Sequence, residues 1–389
     1  MYDELKLTEI SRKLHYSSVA NLSNQFKKIT GLTPTFFKKL KDKNIIIIDK
    51  DSKSTNDRTW CFWEMGESYF ESIIFHKWQN LRIDGDGEIL TRNIKPYSYK
   101  MLRAQDFYQF AKDKIGNKKN IKWVYADITK IYTENDVAHV VTNDGEFTAS
   151  WCFSSIPYQK IDKINNLYLD QHFKGWFIKT MKPTFNSKEA HFMDFRTPQK
   201  DETRFMYVLP YNENEALVEI AIFSRIHLLE NQYQSIIEVY LEKHWNLKRE
   251  DYVINQEETG NIPMTDASFK EVEGRTIYIG MAGGDTRSST GFTFINIQRR
   301  VERIVKSLEI GVNPGETLRF NRFRWYDKVL LRVLEEKTYP GEQLFMRLFR
   351  RNPIQRMLAF LQGESRILME IKVMQTAPLK EFIGSAMSV

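Results

Sequence analysis

Glu219 stands inside a run that is otherwise apolar, Ala216-Leu-Val-Glu-Ile-Ala-Ile-Phe223. Strand alternation puts Leu217, Glu219 and Ala221 on one face. If that face turns inward, the carboxyl loses hydration, its pKa rises, and it can stay protonated near neutrality as a proton donor. If it turns outward, Glu219 is an ordinary solvated acid on an edge strand, and the residues alone leave both readings open. A second acid, Asp194, lies two residues before Arg196 in Met-Asp-Phe-Arg. Shared strand parity makes it either half of an ion pair or a second acid or base. Glu257 and Glu258 precede Gly260 and Pro263; they offer cation stabilisation, a base, or no more than a polar turn.

Two further stretches have the layout of nucleotide-binding elements. Asn44-Ile45-Ile46-Ile47-Ile48-Asp49 is a short apolar strand ending in a carboxylate. In a dinucleotide-binding βαβ unit the acid at the end of such a strand bonds a ribose hydroxyl. Asp49 reads equally as a loop acid beside Lys50 and Asp51. The Gly-x-Gly-x-x-Gly turn that belongs about 20 residues upstream of that acid is not found, and the first glycine is Gly31. The second stretch is the strand 276–280, which runs through Gly280, Gly283, Gly284, Thr290 and Gly291 into a helix over 295–309. Glycines at a helix N-terminus turn unpaired N–H groups toward an anion, although Gly283-Gly284 alone is equally a tight turn. Asp285, in the same loop, would repel a phosphate.

The elements that must position these residues come from 389 residues, enough for two or three domains, with 42% hydrophobic content for a core. Aromatic content of 13% suits a pocket for a large apolar ligand as well as an ordinary core. The net charge of +7 is uneven: residues 1–43 hold nine Lys/Arg against four Asp/Glu. The main body is nearly balanced, so its charge points to no polyanionic partner. Two cysteines, Cys61 and Cys152, make neither a disulfide framework nor a metal pattern, which favours a reducing cytoplasmic setting. No apolar run approaches the roughly 18 residues of a membrane span, so any membrane contact is expected to be peripheral. Arg347, Arg350, Arg351 and Arg356, interleaved with Phe345, Leu348, Phe349, Leu358 and Phe360, suit a helix lying at an anionic interface, or an ordinary amphipathic surface helix.

Residues 1–43 have a character of their own. Apolar positions 5, 7, 10 and 14 predict one helix, and Val19, Leu22, Phe26 and Ile29 a second, stopped by Gly31. Two short helices joined by a tight turn make a helix-turn-helix, with Ser18, Asn21, Asn24, Gln25 and Lys28 on the polar face of the second helix as candidate DNA contacts. Leu7 to Leu14, Tyr16-Ser-Ser18 and Phe26-Lys-Lys-Ile-Thr-Gly-Leu-Thr-Pro34 resemble the second helix-turn-helix of AraC-type transcription regulators. Those regulators carry two such units. One unit falls short of the ~1,000 Å² of most specific DNA interfaces, so weak DNA binding, or an inert appendage, is expected.

The main body carries ordered motifs: Asn56-Asp57-Arg58-Thr59-Trp60-Cys61-Phe62-Trp63, Met101-Leu102-Arg103, Met193 to Arg196, Phe205 to Pro210, Ala216 to Ala221, Gln256 to Thr265, and Ile279-Gly280 through Gly283-Gly284 and Ser289-Thr290-Gly291 to Phe294. Taken in order, they resemble the flavin-dependent lycopene cyclases of bacteria and plants over about residues 44–389. Trp325-Tyr326-Asp327 and Phe349-Arg-Arg-Asn-Pro353 resemble the bacterial members. Ser288 stands where the family has a proline.

The resemblance implies an α/β fold: an incomplete Rossmann-type FAD-binding domain (about 44–155 and 257–310), a β-sheet substrate-binding part (156–256) and a helical C-terminal part (311–389). It implies acid-catalysed, non-redox cyclisation of lycopene end groups to γ- or β-carotene. It also implies reduced FAD, NAD(P)H as the reductant, and a peripheral location at the inner face of the membrane. Glu219 aligns with the first glutamate of the cyclase Phe-Leu-Glu-Glu-Thr motif, which makes it by resemblance the proton donor or the acid–base residue, with Asp194 and Glu257 as further catalytic candidates. Asp49, Arg58, Gly280, Gly283, Gly284, Thr290 and Gly291 are the implied cofactor ligands. Trp63, Phe195 and Tyr207 are candidates for cation–π stabilisation.

Three rival readings carry their own signals. A flavin monooxygenase or prenyl reductase is opposed by the acid at 219 and by Gly280-Met281 in place of Gly-Asp. A transcription regulator with a ligand-sensing body is opposed by the single helix-turn-helix. An inactive, truncated cyclase fusion follows from the missing glycine turn, which predicts poor flavin affinity.

Overall fold

The computed structural model describes residues 43–116, 118–157, 159–316 and 322–387. The helix-turn-helix expected over 1–43, with Ser18, Asn21, Asn24, Gln25 and Lys28, lies outside the described residues apart from Lys43.

Long runs rich in β-branched and aromatic residues form one mixed sheet of seven strands. Its order is Tyr252–Thr265, Tyr168–Thr180, Glu215–Ser224, Thr203–Pro210, Glu189–Asp194, Asn80–Gly85, Glu88–Asn93. The sheet therefore draws strands from three separated stretches of the chain. Both faces are covered. Trp176, Ile178, Val218, Ile220 and Ile222 pack under the helix Glu230–Trp245 through Ile237, Tyr240 and Leu241. Leu217, Ala221, Phe205 and Phe223 face the other way, into a larger core shared with Trp63, Tyr99 and the C-terminal helices. Each such side chain, fully buried, stabilises the fold by about 1.5–3 kcal/mol. The strand carrying Glu219 is an interior one, paired antiparallel on both sides, not the edge strand that the sequence left open.

The α/β character expected from the sequence is present in two small parallel pairings. Ile45–Asp49 pairs with Ile121–Tyr125, and Cys152–Ser154 with Thr276–Tyr278. Among the described residues each of these two edge strands is paired on one side only. A three-stranded antiparallel sheet, in which Thr59–Met65 and His76–Trp78 flank Tyr97–Arg103, packs into the core shared with the large sheet.

The C-terminal part is helical, with helices Phe323–Glu335, Gly341–Arg351, Ile354–Leu361, Ile367–Met374 and Leu379–Met387. A buried ion pair fastens it to the glycine loop: Arg287 donates to Asp327 through Nε (2.9 Å) and Nη2 (2.5 Å). The expectation of an interfacial helix at 345–360 is corrected by the packing. Phe345, Leu348, Phe349 and Leu358 are buried in the main core. Arg350 pairs with Asp86 and Glu88, and Arg347 donates to the Thr376 carbonyl. The amphipathic pattern records this internal packing. Among the described residues, no helix is long and apolar enough to cross a membrane.

Candidate active site

Glu219 and Glu258 meet across the middle of the large sheet. The Tyr168–Thr180 strand lies between their strands, and its Gly175 is in register with both of them. A Cβ at Gly175 would stand 3.1 Å from Glu219 Oε2, 3.2 Å from Glu258 Cγ and 2.9 Å from Leu217 Cδ1. The missing side chain is what lets the two carboxyl groups come close enough to hydrogen-bond. Glycine inside a strand marks such close approaches. Thr59, from the neighbouring small sheet, donates its hydroxyl to Glu258 Oε2 at 2.8 Å.

The surroundings are apolar and aromatic. Tyr207 lies directly opposite Glu219 on the next strand, and Cys61 and Tyr99 approach from the small sheet closely enough to interact with Glu219 electrostatically. Glu219, Cys61, Phe173, Tyr207 and Phe292 all keep part of their surface accessible although they sit within the body of the molecule. They line an internal crevice. Its neighbourhood includes a cavity of about 30 Å³ bounded by Cys61, Phe62, Trp63, Phe292, Phe294 and Gln362, room for about one water molecule.

Burial, and then the neighbouring Glu258, push the Glu219 carboxyl well above the ordinary carboxylate range. Burial pushes Glu258 up to about 7, against the lowering effect of the Thr59 hydroxyl and of Glu219. Burial also raises Cys61, Tyr99 and Tyr207, so the groups facing the pair are uncharged near neutrality. Among the described residues, neither carboxylate has a Lys or Arg partner. The arrangement is a pair of carboxyl groups, both pushed toward their protonated forms, among apolar and aromatic side chains.

The other two acids singled out in the sequence lie elsewhere. Glu257 points to the opposite face, where it pairs with Lys174 at 2.5 Å and remains 44% exposed. Asp194 is also on the far side, under the helix Glu230–Trp245. There it accepts from Arg196 (Nη2, 2.5 Å) and from the Tyr240 hydroxyl (2.6 Å). These bonds outweigh its burial and hold it well below the usual carboxylate range, so it is a structural anion and not a proton donor. Asp84, His191 and Asp194 stand within 4.8 Å of one another in a geometry that could hold a metal ion. Arg82 and Arg196 already bind both carboxylates bidentately, which leaves a cation little to coordinate. Of the cation–π candidates, Tyr207 borders the acid pair, whereas Phe195 is stacked on Phe345 in the core. Trp63 is buried edge-on to Phe292 at 4.6 Å.

The residues read as cofactor ligands fall into two groups: Asp49 and Arg58 lie close enough to interact, and Gly280 to Gly291 share the loop before the helix Phe294–Ile310. Asp49 accepts from the Asp51 amide and pairs with Lys53, and Arg58 pairs with Asp57 at the surface. Gly280 and Gly284 take positive φ in a tight 3₁₀ turn after the strand Thr276–Tyr278. Within that turn, Asp285 Oδ2 accepts the Gly280 N–H (2.7 Å) and Oδ1 accepts from Arg300 (3.1 Å). Burial raises this carboxyl to about 6. Gly291 lies against Gln171. The Thr290 hydroxyl, Gln171 Oε1 and Gln362 Oε1 are buried without partners among the described residues. Thr59, Gly175, Cys61 and Tyr99 were given no site role from the sequence. Thr59 and Cys61 lie in the motif at 56–63, and the lone glycine in a 13-residue strand was the signal for Gly175.

Comparison with known proteins now has a site to attach to. The lycopene cyclase protein family matches residues 36–381. The chain belongs to that family. No curated protein matches it. Solved structures share the fold with this cyclase-family chain. A flavoprotein/dehydrogenase from Cytophaga hutchinsonii aligns at TM-score 0.58 and 11% identity, over 91% of this chain and 95% of that one. The p-nitrophenol 4-monooxygenase of Pseudomonas putida aligns at 0.53 and 11%, over 87% and 92%. CtdE, solved in complex with FAD, aligns at 0.50 and 10%, over 91% and 96%. At such identities the likeness shows an α/β flavoprotein-type fold.

For this cyclase-family chain the match to a dinucleotide is divided. The unpartnered Thr290 and Gln362 oxygens and the uncapped N-terminus of the helix Phe294–Ile310 suit a polar ring edge. The glycine turn does not suit a pyrophosphate, because Asp285 and its bond to Arg300 already take the place of the anion.

Proposed function

We propose that this chain cyclises the end groups of lycopene, or of a closely related linear C40 carotene, by acid catalysis without net electron transfer. The observation that carries the reading is Glu219: a carboxyl kept protonated on the inner face of the sheet, in a crevice walled by aromatic side chains. Adding a proton to a terminal alkene makes a carbocation. The site needs an acid that is uncharged near neutrality and a surface that tolerates positive charge, which Tyr207 and Tyr99 supply as π faces. The cation is quenched by the neighbouring alkene and a ring proton leaves, so atoms and electrons balance without an oxidant.

The cavity beside Cys61, about 30 Å³, is far below the several hundred Å³ that a ligand of this kind occupies. An end group beside Cys61 needs more room than this cavity provides. FAD in reduced form, NAD(P)H as reductant and a peripheral position on a membrane belong to this reading. The division at the glycine turn means that no step of the proposal is routed through the flavin.

The test is to express the chain in lycopene-accumulating cells beside Glu219→Gln and chromatograph the pigments. Ring-bearing carotene in the first and lycopene alone in the second is expected. Lycopene alone in both, with folded protein present, would sink the proposal.

A further inference from the structure

We infer that Glu219 and Glu258 work as a pair holding a single proton, that the Thr59 hydroxyl assigns that proton to Glu219, and that Glu258 is the base that removes the ring proton. This rests on the cyclase reading for the reaction, but its geometric part stands on the fold alone.

Two carboxyl groups can hydrogen-bond only when one of them is protonated, because two carboxylates have no donor between them. Gly175 brings the pair together, and a Cβ there would touch both side chains. The pair is symmetric in chemistry but not in surroundings. Thr59 donates to Glu258 Oε2 at 2.8 Å, and a hydroxyl donor favours the charged form of its acceptor. Glu219 has no such donor among the described residues: its neighbours are Tyr207, Cys61 and Tyr99, with Glu258 as its hydrogen-bond partner. Glu258 is therefore the carboxylate and Glu219 the acid, in line with the lower of the two upward shifts falling on Glu258.

The cycle closes on these two groups. Glu219 gives its proton to the terminal alkene, and the ring closes on the cation. Glu258 takes the proton lost from the ring, and the hydrogen bond between the carboxyls returns it to Glu219. Thr59 touches no reacting atom and is a positioning residue.

The experiment reads the proton before it reads the product. The C=O stretch of protonated carboxyl groups is followed by infrared difference spectroscopy across pH on the full chain, without substrate. An Asp285→Asn background removes the one other buried acid among the described residues that is raised into the range, at about 6. One protonated carboxyl that is lost in Glu219→Gln is expected above neutrality. A second should appear as pH falls through about 7, and be lost in Glu258→Gln. In Thr59→Val the second should appear about 1 pH unit higher, and Thr59→Ser should restore it. The low-pH limb of cyclisation of lycopene in vesicles should move by the same amount.

A midpoint that stays put in Thr59→Val, or pH behaviour in which neither glutamate carries a proton at neutrality, overturns the inference even if carotene forms. The titration as expected, with no carotene from any variant, leaves the proton pair standing and sinks the cyclase reading together with the base role of Glu258.

Discussion

Asp327→Ala should be among the most damaging single changes outside the crevice, and its cost can be worked from the contacts it removes. Asp327 is 3% exposed and accepts from Arg287 Nε (2.9 Å), Arg287 Nη2 (2.5 Å) and Ser289 Oγ (2.7 Å). Arg287 is 5% exposed; it sends Nη1 to the Phe360 (3.1 Å) and Leu361 (3.3 Å) carbonyls and lies 4.8 Å over the Phe323 ring. Removing the carboxylate leaves a buried guanidinium with two carbonyls and a ring for company. Breaking a buried pair from one side costs about 3–5 kcal/mol. The surviving contacts place this case near the lower end, about 3 kcal/mol.

Asp327→Asn keeps one acceptor of the same size, so about half that loss is expected. The double change Arg287→Met with Asp327→Leu removes both charges and should come within about 1 kcal/mol of the parent. The assay is urea unfolding followed by tryptophan fluorescence, with limited proteolysis to find which part opens first. The loop 286–293 and the helix Phe323–Glu335 should become the first sites of cleavage in Asp327→Ala. A loss below 1 kcal/mol in Asp327→Ala, or a double variant as unstable as the single, would refute the claim that this pair fastens the helical part to the loop beside the crevice.

Three other expectations follow from the same contacts. Asp285 has a pKa raised to about 6, above the ~3.9 of an unfolded Asp, so the folded chain binds this proton more tightly than the unfolded one. Its charged form therefore costs stability that is fully felt above pH 6 and relieved as pH falls toward 4. Asp285→Asn should stabilise the chain at pH 7.5 by up to about 3 kcal/mol and leave it unchanged at pH 4. It should also tighten FAD binding in a fluorescence titration, and a less stable variant at pH 7.5 would contradict the reasoning. Tyr240→Phe takes one of the bonds to the buried Asp194 and should cost about 1.5–3 kcal/mol. Because Asp194 is held well below its unfolded pKa, the folded chain keeps this carboxylate charged in mild acid, so the loss should be the same at pH 7 and pH 3, which urea unfolding at both pH values would show. Glu257→Gln should leave cyclisation intact and stability within about 1 kcal/mol, since Glu230 still pairs with Lys174; loss of carotene in that variant would move the base from Glu258 to its neighbour.

Some of the site was legible before any coordinates. Alternation in the 216–223 run set Glu219 on the face of Leu217 and Ala221, and the structure shows those three sharing the crevice side while Val218 and Ile220 face the helix. The Asp194–Arg196 ion pair was one of the two readings of Met-Asp-Phe-Arg, and it forms although the strand ends at Asp194.

What the residues could not say was which face points inward. Glu257 and Glu258 must lie on opposite faces, but only the pairing with Trp176 and Gly175 sends Glu258 in and Glu257 out. The bulge at Phe177/Ile178 shows how easily that parity changes within one strand. The interfacial reading of 345–360 failed for a related reason. A pattern records that a helix has an apolar side and not what covers it, and the acids that meet Arg350 are some 260 residues away in sequence.

Local rules such as alternation, helical period and glycine placement thus set the elements, and the order of the motifs carried the family resemblance. The acid pair exists only in the tertiary structure, because it needs register across three strands and a threonine from a fourth, and no window of sequence contains that register.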